Sequence, residues 1–174
     1  IRKAGATGAK TLAVTNTLGS TITREVDDSV FIKAGPEIGV AATKTFVSQV
    51  ATLTMLAVSL GRVRGTLSSE DAATTLENLR GLPGAIQQVL DREDDVGAVA
   101  REYANKDAFF YIGRQLGHPV SLEGALKLKE ISYDHAEGFP GGELKHGPLA
   151  LVTPDTAVLA TLTEGARPEE TIHN

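Results

Sequence analysis

Glu123, Lys127 and Glu130 recur at i, i+4 and i+7 in the segment SLEGALKLKEIS, a spacing that sets a cation between two carboxylates along one stripe of a helix. A carboxylate with a lysine one turn away can exchange protons with a carbon acid while the cation restrains the charge that builds up. The same stripe also reads as a solvated face laced with Glu-to-Lys pairs, the commoner use of this pattern, contributing only ~0.3 kcal/mol per pair. Downstream, His135, Glu137, Gly138, Pro140, Gly141, Gly142, Glu143, Lys145, His146, Gly147 and Pro148 crowd into what reads as a short irregular connection, its path fixed by glycine and proline. An imidazole held between Lys145 and Gly147 changes charge near neutral pH, as proton transfer requires.

The elements that would position these groups alternate strand and helix. TLAVTN (Thr11 to Asn16), SVFIKAG (Ser29 to Gly35) and AFFYIGR (Ala108 to Arg114) have the short, apolar, β-branched or aromatic character of buried parallel strands. AVLATLTEG (Ala157 to Gly165) reads as the strand that follows AFFYIGR. A long helix is predicted from about Val40 to Val63, and its stretch Val47 to Leu60 is interrupted by Ser48, Gln49, Thr52, Thr54 and Ser59, so it reads as a buried core helix and not a membrane span. Ser68 and Asp71 form a capping box for a helix over Ser69 to Arg80; Leu82, Pro83 and Gly84 then punctuate before another helix to about Leu90. The acidic run Asp91 to Asp95 reads as a solvated hinge and the start of the next helix, and the apolar side of the helix around Lys127 comprises Leu122, Ala125, Leu126 and Leu128 to Ile131. A faint repeat aligns PEIGVAATK with LEGALKLKE, Glu37 falling on Glu123 and Lys44 on Glu130.

Composition narrows the chemistry. A formal charge of −5, a pI near 5.4 and no basic patch argue against a nucleic-acid surface. The absence of cysteine removes disulfides, thiolate nucleophiles and cysteine-bound zinc. Four dispersed histidines, among them His118, His135 and His146, make no recognisable metal cluster. No signal peptide or basic transit segment opens the chain, so the cytoplasm is the expected compartment. Both ends read as cut: IRKAGATGAK resembles the close of a helix, with Gly5 and Gly8 as stop signals, and TEGARPEETIHN begins another, with Glu169 and Glu170 in its first turn.

EGALKLKEISYDHAEGFPGGELKHGPLAL closely resembles the isomerase region of the glutamine–fructose-6-phosphate aminotransferase family, the glucosamine-6-phosphate synthases that open amino-sugar synthesis. GPEIGVAATKTFVSQVATLTMLA is similar to that family's segment after its first sugar-phosphate loop, and the two matches come in the family's order. The resemblance implies an α/β fold of three-layer, doubly wound parallel sheets, in two tandem sugar-isomerase (SIS) half-domains that are both truncated. Residues 1–94 would be the C-terminal part of the first with a helical linker, and 95–174 the N-terminal part of the second.

The same resemblance implies the residue roles. Glu130 matches the acid/base that moves a proton between C1 and C2 of the sugar, Lys127 a lysine that supports it, and His146 the histidine that opens the fructose ring from a neighbouring subunit of a homodimer. Val40, Ala41, Ala42 and Thr43 match the stretch that touches the sugar at the start of a helix; the family commonly has serine in place of Ala42, so a hydroxyl contact is lost or replaced. The implied partners are a sugar phosphate, fructose 6-phosphate going to glucosamine 6-phosphate, and a glutaminase domain of the same full-length chain; no cofactor is implied. The family's serine- and threonine-rich phosphate loop, cysteine glutaminase domain and Schiff-base lysine have no match here, so the chain alone is expected to be inactive. Two alternatives stay open: another SIS enzyme, a deaminase or deglycase of an amino-sugar phosphate using the same Glu130 chemistry, and a non-catalytic sugar-phosphate-binding regulator.

Overall fold

The computed structural model describes residues 1–163, and the helix expected around Glu169 and Glu170 lies outside the described residues. The chain divides into two compact units, one ending at Asp91 and the other beginning at Arg92. In the first unit a short helix, Arg2–Ala6 (α1), is closed by the Gly8 N–H donating to the Gly5 carbonyl at 2.9 Å and the Ala9 N–H to the Ala4 carbonyl at 3.1 Å. Gly8 has φ +79, the left-handed conformation that this closure needs, whereas Gly5 lies inside the helix.

Leu12–Thr15 (β1) and Asp28–Phe31 (β2) pair in parallel, Leu12 opposite Asp28 and Thr15 opposite Phe31. Both strands are shorter than their sequence patterns indicate, and only Ala13 of the two is buried. Asp27 staples their entry ends: its carboxylate accepts from the Thr11 N–H and hydroxyl, each at 2.8 Å, and from Lys10 Nζ at 3.2 Å. Those bonds, the Thr11 backbone N–H foremost, hold the Asp27 pKa down from 3.8 to about 2. A carboxylate whose pKa is lower folded than unfolded stabilises fully above the unfolded value and loses that contribution as the pH falls through the folded one. Asp27→Asn is therefore expected to flatten the acid slope of urea-unfolding stability between about pH 4 and pH 2; identical slopes in the two proteins would contradict the staple.

Lys44–Val63 (α2) and Ser69–Leu90 (α3) complete the first unit and pack on each other. α2 begins at Lys44, not at Val40, with Thr43 as its N-cap. The expectation of a buried core helix is also corrected. Val50, Leu53, Met55 and Leu60 are each about half exposed, and only Val58 is buried. A sheet of two strands spans about 5 Å between axes, narrower than the ~10 Å of a helix, so it covers little of the α2 apolar surface. By length and composition α2 is long and apolar enough to cross a membrane, with mean hydropathy 1.4.

Half of the expected capping box at the start of α3 is present: Ser68 Oγ accepts from the Asp71 N–H at 3.0 Å, while the Asp71 carboxylate accepts from the Ser68 hydroxyl at 2.6 Å. The break expected at Leu82 to Gly84 is not. α3 runs through Pro83, whose missing N–H deletes one helical bond, to the Leu79 carbonyl, without ending the helix.

In the second unit Glu93–Tyr103 (α4) leads to Ala108–Gly113 (β3), the centre of a parallel sheet ordered β4-β3-β5, with His135–Pro140 (β4) and Thr156–Thr161 (β5) on its flanks. Gly117–Ser132 (α5) crosses over from β3 to β4. Alternation along β3 sends Phe109 and Tyr111 to a cluster with Ala125, Leu128, Ala136 and Ala157, under α5. Phe110 and Ile112 face the opposite layer, where Leu144 and Val152 cover them, and Phe139 of the neighbouring β4 packs beside them with its ring edge-on to Phe110. Leu144–His146 and Pro148–Leu151, two short helical turns, make up that layer.

Two expectations fail in this unit. The segment from His135 to Pro140 is a strand and not part of an irregular connection, because β3 offers a free edge on which it pairs from Ala108↔His135 to Gly113↔Pro140. The buried stripe of α5 consists of Gly117, Ser121 and Ala125, while Leu122, Leu126 and Ile131 stay exposed. Small residues win these positions because the helix lies close on the sheet; Ser121, fully buried, spends its hydroxyl on Thr161 Oγ1 of β5 at 2.8 Å.

α5 ends at Tyr133 in the left-handed region, φ 66 and ψ 10, with its side chain 90% exposed. That conformation costs a non-glycine residue ~1–2 kcal/mol. Tyr133→Gly, which loses no packing, is expected to raise stability by about 0.5–1 kcal/mol. A urea midpoint that stays or falls would count against this.

Candidate active site

α5 brings Glu123, Lys127 and Glu130 together as their spacing requires. Lys127 Nζ donates to Glu130 Oε2 at 2.6 Å and lies 3.4 Å from Glu123 Oε1. The three side chains are 20–29% exposed, so the pairs are more sheltered than a freely solvated ladder. The hydrogen bond to Glu130 raises the Lys127 pKa above its ordinary value against the opposing pull of desolvation, and Glu123 adds to the rise. Lys127 is therefore cationic at neutral pH, and a cation fixed 2.6 Å from Glu130 can offset charge gathering on a neighbouring carbon acid.

His146 closes the helical turn Leu144–His146, is exposed, and donates its backbone N–H to the Glu143 carbonyl at 3.0 Å. Buried Leu144, two residues before it, anchors the turn to the sheet. His135 Nε2 lies 3.0 Å from Glu137 Oε1 on β4, an exposed pair away from the Lys127 ladder's own contacts.

Val40, Ala41 and Ala42 precede α2, and Thr43 caps it. Ala41 is buried and Val40 is exposed. The sequence reading passed over Glu37 as a binding group. Its carboxylate accepts from the Thr43 N–H at 2.7 Å and from the Thr45 hydroxyl, and it borders an open cavity of about 750 Å³ with Asn16, Thr45 and Gln49, at the carboxyl ends of β1 and β2. The faint repeat does not survive in three dimensions, since Glu37 stands before its helix and Glu123 inside one. A second, mainly apolar cavity of about 540 Å³ lies between α4, β3 and β5. Glu130, Lys127 and His146 line neither cavity. Among the described residues no cluster of acids and histidines could hold a metal ion.

Parallel strands in three layers, with the ionisable groups carried on the helix that follows the central strand, define an α/β protein of the doubly wound class. The SIS domain model matches residues 1–59 and 102–170, and the chain belongs to the SIS-domain family. It is 64% identical over 174 residues to a glutamine–fructose-6-phosphate aminotransferase (isomerizing) of Halobacterium salinarum, covering 100% of this chain and 29% of that protein. A protein of the same description from Methanosarcina acetivorans is 50% identical over 164 residues, covering 94% of this chain and 26% of that one. Among solved structures, the C-terminal domain of glucosamine-fructose-6-phosphate aminotransferase from Francisella tularensis superposes with a TM-score of 0.94 at 34% identity, covering 99% of this chain and 49% of that chain. The chain thus spans under a third of the two curated relatives and about half of the matched structure.

Proposed function

We propose that this chain is the isomerase-bearing part of an enzyme that makes glucosamine 6-phosphate from fructose 6-phosphate and glutamine, a cytoplasmic homodimer feeding amino-sugar synthesis. The observation that carries the reading is the sheltered Lys127–Glu130 pair at 2.6 Å, in a chain 64% identical to a protein of that description. Glutamine hydrolysis belongs to a glutaminase domain elsewhere in the complete protein. The present chain supplies sugar contacts and proton transfer, with residues 1–94 and 95–174 as parts of two tandem SIS domains.

In this reading ammonia replaces the C2 oxygen of the open ketose, which leaves as water, to give an imine. The Glu130 carboxylate takes a proton from C1, the C–H electron pair becomes the C1=C2 bond of an enolamine, and the C=N pair passes to the nitrogen, which takes a proton from solvent to become an amine. Glu130 then returns the proton to C2 while the C1 hydroxyl gives up its proton to solvent, leaving an aldehyde at C1 and the amine at C2. Lys127 restrains negative charge during both transfers. His146 gives a proton to the ring oxygen and removes one from the anomeric hydroxyl when the ring opens; its exposure suits a residue that acts in the partner subunit's site. Val40, Ala41, Ala42 and Thr43 contact the sugar, with Ala42 unable to offer a hydroxyl.

The complete protein, given fructose 6-phosphate and glutamine, is expected to form glucosamine 6-phosphate and glutamate in equal amounts. Release of ammonia from glucosamine 6-phosphate with no synthesis from glutamine would replace this reading with an amino-sugar-phosphate deaminase.

A further inference from the structure

Glu37 lies in the first unit, just before α2, and its carboxylate is heavily engaged. Oε1 accepts from the Thr43 N–H at 2.7 Å and the Thr43 hydroxyl at 3.2 Å, and Oε2 accepts from the Thr45 hydroxyl. Lys44 Nζ donates to the Pro36 carbonyl at 2.5 Å, and Asn16, just past β1, accepts from the Ala34 N–H at 2.9 Å and donates to the Gly35 carbonyl at 2.7 Å. The chain from the end of β2 to the start of α2 is thus tied down on both sides of residues 38–42.

Those five positions, Ile38, Gly39, Val40, Ala41 and Ala42, carry no polar side-chain atom. They cannot fix their own path by side-chain hydrogen bonds, and they can offer a ligand only backbone groups and methyls. Such contacts have no side-chain freedom to correct a displaced backbone, so they depend on where the ends are held. The hydroxyl of Thr45, followed by the Thr43 N–H, holds the Glu37 pKa near about 2, so the group stays an acceptor at any working pH and is unsuited to proton transfer.

We propose that Glu37 is a positioning residue for sugar-phosphate recognition: by binding Thr43 and Thr45 it holds the arc 38–42 in the place from which Val40, Ala41 and Ala42 meet the sugar. The inference rests on the functional reading above, in which that arc contacts the substrate. Steady-state kinetics of the complete enzyme test it. Glu37→Ala is expected to raise KM for fructose 6-phosphate about tenfold or more, with kcat and KM for glutamine close to wild type. Glu37→Gln, which keeps one acceptor oxygen, should recover part of the loss, and Thr45→Val, which removes one donor, should show a smaller rise of the same kind. Wild-type KM in all three variants, or a fall in kcat at constant KM, overturns the proposal. If Glu37→Ala does not fold, Thr45→Val and Glu37→Gln decide by the same criterion. A wild-type enzyme that does not turn over fructose 6-phosphate removes the functional reading and this inference with it, whereas wild-type turnover with unshifted variants removes this inference alone.

Discussion

Glu130→Gln is expected to lower the rate of glucosamine 6-phosphate formation by about a thousandfold, within the usual range for removing a general acid–base group. The amide keeps the size and much of the hydrogen-bonding shape of the carboxylate but can neither hold nor release a proton at the required step. Lys127 would keep an oxygen to bind, so α5 should stay in place; the pair joins residues three apart on one helix, which makes it a local matter and not a keystone of the fold. Glutamine hydrolysis, which the proposed function assigns to another domain of the complete protein, should continue, and KM for the sugar should change little because the lost interaction belongs to the transition state. Comparison of synthesis and hydrolysis rates in one preparation checks this. A variant that loses both equally would place Glu130 in folding or assembly instead.

Gly113→Ala should have the largest effect on stability. A Cβ built on Gly113, the last residue of β3, would lie 2.3 Å from the carbonyl carbon and oxygen of Gly117 and 2.7 Å from the His118 nitrogen. All three are backbone atoms at the start of α5, so no side chain can swing away and the helix itself must move. Overpacking of this kind costs about 3 kcal/mol, the upper part of its usual range. The same shift would displace Glu130 and Lys127, since both ride on α5. Urea denaturation of the 174-residue chain measures the first effect. An unchanged midpoint would mean that helix and strand are not in the contact described.

How much of this was legible in the sequence depended on whether local pattern or tertiary pairing decided each element. AFFYIG announces β3 because a strand buried on both faces reads as a continuous apolar run. HAEGFP does not announce β4: it holds a histidine, a glutamate, a glycine and a proline, and it becomes a strand because the edge of β3 supplies its hydrogen bonds. Leu82, Pro83 and Gly84 carry strong stop signals, yet the helix from Ser69 to Leu90 runs through Pro83, which removes the helical bond at one position while those on either side continue. In α5, Ala125 and Leu128 of the expected apolar side do pack on the core, but Leu122, Leu126 and Ile131 stay exposed because close approach to the sheet selects the small residues Gly117, Ser121 and Ala125.

The candidate site divides along the same line. Glu123, Lys127 and Glu130 meet because helical periodicity alone brings i, i+4 and i+7 into reach. The Glu37 clamp was out of sight for the opposite reason: its partners lie six and eight residues away across an irregular arc, a distance with no fixed geometry until the fold sets it. The signal available was an acceptor standing ahead of a helix start with threonines on both sides of its first residue, which a capping argument could have picked out.

The most direct measurement of the central claim uses fructose 6-phosphate deuterated at C1, with glutamine, in the complete protein and its Glu130→Gln variant. Wild type is expected to move the label from C1 to C2 or to water, and the variant to do so at about 1% of that rate or less. Label transfer at the wild-type rate in Glu130→Gln would contradict the assignment of Glu130 as the group that carries the proton.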